Sequence, residues 1–237
     1  MKAIITLIII SQGFMVQPSR IELEVAGGKS ITRKIIVSNP SPDTIFLRIH
    51  TEKFYQDAFG KIKFAEEDDN PYIIINPVEF QVPPGENRTV RVTFRTPCDM
   101  PKEIWGMIII TQLPPPEEKF AMIRIAREIG VPYYLIPIGA YSECDIDTSY
   151  IKNDTLFFLV SNNSFKHLRA RGTFKLETID KNAIERSEQS IFILPEHTIK
   201  LAFPIDTLKQ GKYVARLRID YGGAFAIEGV KSFIINK

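Results

Sequence analysis

The run Ala26-Gly27-Gly28-Lys29-Ser30 sets glycines beside a lysine and a serine, the residue types that cradle a phosphate. A phosphate loop also needs glycine at position 23, where Leu23 stands, and a helix after the serine. Ile31 to Val37 instead alternates apolar and polar residues, so the glycines predict a hairpin turn. Three histidines, His50, His167 and His197, are scattered with no spacing suited to a metal. Glu66-Glu67 with Asp68-Asp69-Asn70 forms an acidic cluster, which reads as a solvated loop rather than a cation site. No H-E-x-x-H or G-x-S-x-G motif occurs, and no triad of nucleophile, base and acid can be assembled. The expectation is therefore a protein that is not an enzyme, with no cofactor and no metal. The two cysteines, Cys98 and Cys144, are too few for a disulfide scaffold and form no C-x-x-C pair.

The elements around these residues read as strands. In Thr89 to Arg95, Val90, Val92 and Phe94 point one way and polar residues the other, the pattern of a half-buried strand. Ile73-Ile74-Ile75 and Met107 to Ile110 are continuous apolar runs, expected of strands covered on both faces or lying at an interface. Pro, Gly, Asn and Asp punctuate the runs regularly, and no long segment has helical periodicity. This predicts an all-β sandwich architecture. Formal net charge is +2, from 30 basic and 28 acidic residues, which gives no electrostatic reason to expect a nucleic-acid partner.

A weak internal repeat divides the chain into two such sandwiches. Val37-Ser38-Asn39-Pro40-Ser41 corresponds to Val160-Ser161-Asn162-Asn163-Ser164. Val82-Pro83-Pro84-Gly85, followed by a strand, corresponds to Leu194-Pro195-Glu196, and Ile104 to Ile108 corresponds to Lys212 to Leu217. The expected organisation is a signal peptide over residues 1–14, an immunoglobulin-like domain over 15–138 and a second over 139–237, with the seam at Pro137 to Ala140. The signal peptide rests on Lys2 followed by the short apolar run Ile4 to Ile10 and then Ser11-Gln12-Gly13. No later run is long enough to span a bilayer, so no membrane span is expected in the mature chain. Gly211-Lys212-Tyr213 opens the penultimate strand of the second copy, where such sandwiches place a corner tyrosine.

The first, fifth and seventh strands of such a sandwich run in one direction. The strand ending near Thr96 and the closing strand from Ile123 to Leu135 should therefore finish at one pole. Cys98 and Cys144 follow them, so two readings stay open, a disulfide between the two or a pair of partly buried free thiols.

Several segments of the first copy together resemble the periplasmic chaperones of the chaperone–usher pilus pathway. They are Val16 to Leu23, Ile36-Val37-Ser38-Asn39-Pro40-Ser41, Val82-Pro83-Pro84-Gly85, Val90-Arg91-Val92 and Val131-Pro132-Tyr133-Tyr134-Leu135-Ile136-Pro137. The resemblance covers most of residues 15 to 138, while the second copy is similar only in a general way. It implies a periplasmic or secreted chaperone that binds an exported pilus or surface subunit by β-strand addition, with an usher as a further partner. In that mode backbone hydrogen bonds supply affinity and alternating side chains supply register. The resemblance assigns Arg20 to the family's carboxylate-binding arginine in the cleft between the domains, and Ile123 and Ile125 to the donated side chains. The next donor position is Arg127, and the family's second cleft cation, a lysine, falls on Pro132. In place of that lysine, the resemblance makes Arg127 or Arg124 the expected companion cation, provided the side chain reaches. The alternative class is a structural or adhesive immunoglobulin-like module of the cell envelope without chaperone activity.

Overall fold

The computed structural model describes residues 13–67, 70–114, 127–223 and 225–236. The expected signal peptide, Asp68-Asp69, Ile123, Arg124 and Ile125 thus lie outside the described residues, apart from Gly13 and Phe14. Strands β1 to β10 are Met15–Gln17, Ile21–Val25, Ser30–Ser38, Ile45–Gln56, Ile62–Glu67, Ile73–Asn76, Glu79–Val82, Asn87–Arg95, Ile104–Leu113 and Glu128–Pro137. Strands β11 to β17 are Cys144–Lys152, Thr155–Asn162, Leu168–Thr178, Ala183–Ile193, Thr198–Pro204, Gly211–Asp220 and Ile227–Ile235. No helix occurs among the described residues, as the period-two pattern requires.

Four sheets result. One has the order β1-β3-β8-β6, and a second has β2-β10-β9-β4-β5 with β7 also paired to β4. The others are β11-β12-β15 and β14-β13-β16-β17. The succession β5-β4-β9-β10 matches β14-β13-β16-β17, and β3-β8 matches β12-β15, so the sequence repeat is a repeat of sandwich topology. The chain forms two compact units. Of the described residues, the first comprises those within 13–53, 66–67, 70–99, 105–114 and 127–134; the second comprises those within 54–65, 100–104, 135–223 and 225–236.

Alternation positions both cores. Val90, Val92 and Phe94 of β8 are buried, as are Ile35 and Val37 of β3, whereas Ile36 between them is exposed. Ile108, Ile109 and Ile110 are buried in succession, which fits a strand covered on both faces. The second core gathers Leu156, Phe158 and Val160 of β12 with Phe174 and Leu176 of β13 and Ala215, Leu217 and Ile219 of β16. Phe174 and Phe203 stack there with ring centroids 3.8 Å apart.

The repeated asparagines explain the repeat itself. Asn39 is buried, and its Nδ2 donates to the carbonyls of Asp43 (2.7 Å) and Val82 (2.9 Å). Asn162 is buried likewise and donates to the carbonyls of Lys166 (2.9 Å), Ile193 (3.1 Å) and Leu194 (2.9 Å). The amide nitrogens of Ser41 and Ser164 donate back to the two side-chain oxygens, each at 3.0 Å. Each asparagine therefore ties the turn after one strand to the turn before another. Both facing turns need a left-handed residue, Gly85 in one and Glu196 in the other.

Two expectations are corrected. The glycines at 27 and 28 do not close a hairpin, because β2 and β3 belong to different sheets. They form an arch between sheets in which Gly28 has φ +70° and its N–H donates to the Pro97 carbonyl at 2.8 Å. A Cβ at Gly27 would strike the Cys98 carbonyl, so close backbone approach explains that glycine. Of the two readings of Ile73-Ile74-Ile75, the doubly covered strand is the one that fails, because β6 stands at the end of its sheet. Among the described residues it pairs with β8 alone, and Ile74 is 40% exposed.

Candidate partner-binding edge

Arg20 lies where the chain changes sheets. β1 pairs with β3 in one sheet and β2 belongs to the other, with Pro18, Ser19 and Arg20 between them. Ile21 and Val25 enter the core, so the alternation turns Arg20 and Glu22 outward together. The Arg20 Nε lies 3.3 Å from Glu22 Oε1, with the arginine side chain half exposed. Arg20 therefore projects away from the core that Ile21 enters, with an acid beside it.

The closing strand of the first sandwich, β10, stands between β2 and β9. Its approach is held to β9 where the Gln112 N–H donates to the Arg127 carbonyl at 2.8 Å. The Thr111 hydroxyl donates to Glu128 Oε1 at 2.9 Å. The half-buried Arg127 guanidinium lies alongside Gly13, where an added Cβ would sit 3.4 Å from Nη1. Pro132, which the sequence resemblance set where a lysine was expected, is half-buried within β10. Ile123 and Ile125 lie outside the described residues.

Both cysteines are free thiols in this structure, and the Cys98–Cys144 bond of the first reading is not formed. Cys98 is exposed after β8, while Cys144 is buried within the second core at the start of β11. Burial pushes the Cys144 thiol up to about 11, with the charges of Asp145 and Asp147 adding to the rise. Among the described residues no group of His, Cys, Asp and Glu is placed to hold a metal ion. No helix among them is long and apolar enough to cross a membrane.

The second unit contains polar centres that sequence reasoning missed. Glu103 and His167 are both buried, with His167 Nδ1 2.9 Å from Glu103 Oε2 and the His167 N–H donating to that same oxygen. Gln56 donates to the Phe192 carbonyl at 2.8 Å and accepts from the Leu194 N–H at 2.8 Å. No sequence signal reveals either, because the partners are far apart along the chain. The corner tyrosine was legible: the Tyr213 hydroxyl donates to the Lys209 carbonyl at 2.7 Å.

With this geometry in view, solved structures supply the comparison. A chaperone in complex with a tip adhesion subunit from the archaic Csu pili of Acinetobacter baumannii has 17% identity. Its TM-score is 0.58, covering 92% of this chain and 98% of that one. The class 5 fimbriae chaperone CfaA has 14% identity and a TM-score of 0.57, covering 92% and 99%. The YadV chaperone has 12% identity and a TM-score of 0.56, covering 93% and 99%. No protein-family model and no curated protein sequence matches the chain. At these identities the likeness is one of fold: the chain has the two-sandwich fold of chaperone–usher fimbrial chaperones, over nearly its whole length.

Proposed function

We propose that this protein is a periplasmic chaperone that binds exported pilus or surface subunits by adding a β-strand to them. The observation that carries the proposal is full-length agreement with fimbrial chaperones in both sandwiches rather than in one shared module. The motifs of the first copy support it independently. In this reading residues 15–138 and 139–237 are the two domains after a signal peptide, and an usher is a further partner. The protein binds and protects; it does not catalyse.

Arg20 is the proposed carboxylate anchor. Its planar guanidinium can give two parallel hydrogen bonds to a chain terminus. The link to Glu22 does not preclude this, since an exposed ion pair is worth about 0–1 kcal/mol. Ile123 and Ile125 are the proposed donated side chains, and pairing with a client would cover a strand edge that otherwise invites aggregation. A structural or adhesive envelope module is the second reading. It is favoured by Arg127, whose charge at the next donor position would be costly in an apolar groove.

The test is to purify the tagged full chain from the envelope of its native host and identify bound chains by mass spectrometry. The proposal expects one dominant exported subunit, retained by the wild type and largely lost by Arg20→Ala. A wild-type protein that carries no exported subunit contradicts the chaperone reading. Equal retention by Arg20→Ala contradicts the anchor.

A further inference from the structure

The outer face of the second unit's four-stranded sheet carries an arrangement of charge that strand formation does not require. Lys175 of β13 stands directly opposite Arg186 of β14 on one side and Arg216 of β16 on the other. One step along the same face, Thr173 stands opposite Glu188 and Arg218, and Arg218 stands opposite Glu228 of β17. The alternate residues Phe174, Leu176, Ala215 and Leu217 fill the core, so this row of cations faces outward. Directly opposed like charges on neighbouring strands weaken a sheet. Any long polar residue would satisfy these outward positions without that cost.

Local carboxylates only partly answer the cations. Arg186 Nη2 lies 3.2 Å from Glu188 Oε1, and Arg216 Nη1 lies 3.5 Å from Glu228 Oε2. Lys175 and Arg218 have no ion pair among the described residues. Thr173, Lys175, Arg186, Arg216, Arg218 and Glu228 line a cavity of about 230 Å³.

We propose that this cavity binds a phosphomonoester group. The four cations exceed Glu188 and Glu228 by two charges, and a phosphomonoester carries about −1.5 to −2 at neutral pH. Arginine forks match its oxygens in pairs, lysine adds a compact charge, and the Thr173 hydroxyl is a further donor. A carboxylate would leave half of the excess charge unanswered. The cavity is larger than a phosphate, so it also admits part of the molecule bearing the group.

The test uses the full chain in two arms. In one, inorganic phosphate is titrated calorimetrically at low salt. In the other, the protein is sedimented with phosphatidylcholine vesicles with and without phosphatidic acid. The proposal expects saturable binding that weakens about tenfold in Lys175→Gln and in Arg218→Gln, as loss of a charge-assisted pair implies. Lys200→Gln, on another sheet, should bind as the wild type does. Melting in chloride and in phosphate at equal ionic strength separates binding from folding. Lys175→Gln should melt no lower than wild type in chloride, because opposed charge is relieved, yet lose the rise that phosphate gives. Binding of phosphate alone supports a soluble phosphorylated ligand, and binding only to phosphatidic acid vesicles supports a headgroup. Binding in neither arm, or binding unchanged in both variants, overturns the proposal.

Discussion

Asn162 is buried, donates to three carbonyls and receives the Ser164 N–H on its side-chain oxygen. Replacement by alanine would leave several buried polar groups without partners, each costing about 1–3 kcal/mol. Asn162→Ala should therefore destabilise by at least about 2 kcal/mol in urea unfolding. A loss below about 0.5 kcal/mol, the range of ordinary surface changes, would refute the account. Cys144 supplies a second residue-level prediction. Its thiol is raised from 9.0 to about 11, so between those values the folded chain binds more protons than the unfolded one. The contribution to stability is intact below pH 9 and is lost as pH rises through about 11. The fall in stability over that window should be shallower in Cys144→Ala than in the wild type. A thiol reagent at neutral pH should label exposed Cys98 in the native protein and reach Cys144 only after unfolding. At this scale the sequence was informative only where a residue type repeats or has a set place. Asn39, Asn162 and Tyr213 were legible for that reason, whereas Glu103 and His167 meet only through the fold.

The turn after β4 shows how an element acquires a role that local pattern conceals. Asp57 Oδ1 accepts the Phe59 and Lys61 N–H groups, at 2.9 and 3.0 Å, and these bonds hold its carboxyl below the usual carboxylate range. The Lys200 N–H donates to the Ala58 carbonyl at 2.7 Å, which secures this turn within the second unit. Gln56 completes the attachment through Phe192 and Leu194, and it is buried. Gln56→Leu would strand a buried N–H and a carbonyl, so a loss of about 1–3 kcal/mol is expected. Proteolysis at residues 57–61 should quicken in the variant, and unchanged cutting and unchanged unfolding would refute the attachment. The corner at Tyr213 is a milder case. Its Lys209 acceptor belongs to an exposed residue that water can serve, so Tyr213→Phe should cost about 0.5–1.5 kcal/mol by thermal unfolding. Alternation in β8 was readable because one face is core and the other solvent. Ile73-Ile74-Ile75 left two readings open because three apolar residues in succession do not say whether a strand is central or at an edge. Gly27 and Gly28 misled because glycine marks an arch between sheets as well as a hairpin within one.

For the whole molecule, the duplication of topology was visible as matched turn residues in order, because both sandwiches need the same asparagine between the same two turns. The composition of the compact units was not visible. Residues 54–65 and 100–104 belong with the second unit through partners more than a hundred residues away in the case of Gln56 and Phe192, and sixty-four in the case of Glu103 and His167. A chaperone built on this scaffold must present an edge to its client, and the proposed edge is the segment carrying Ile123, Ile125 and Arg127. Amide hydrogen exchange of the protein alone and in complex with the subunit it carries from its host tests that claim most directly. The account predicts strong new protection over residues 123–127 when the subunit is bound, because strand addition engages main-chain amides. Exchange over that segment that is the same with and without the subunit would contradict it.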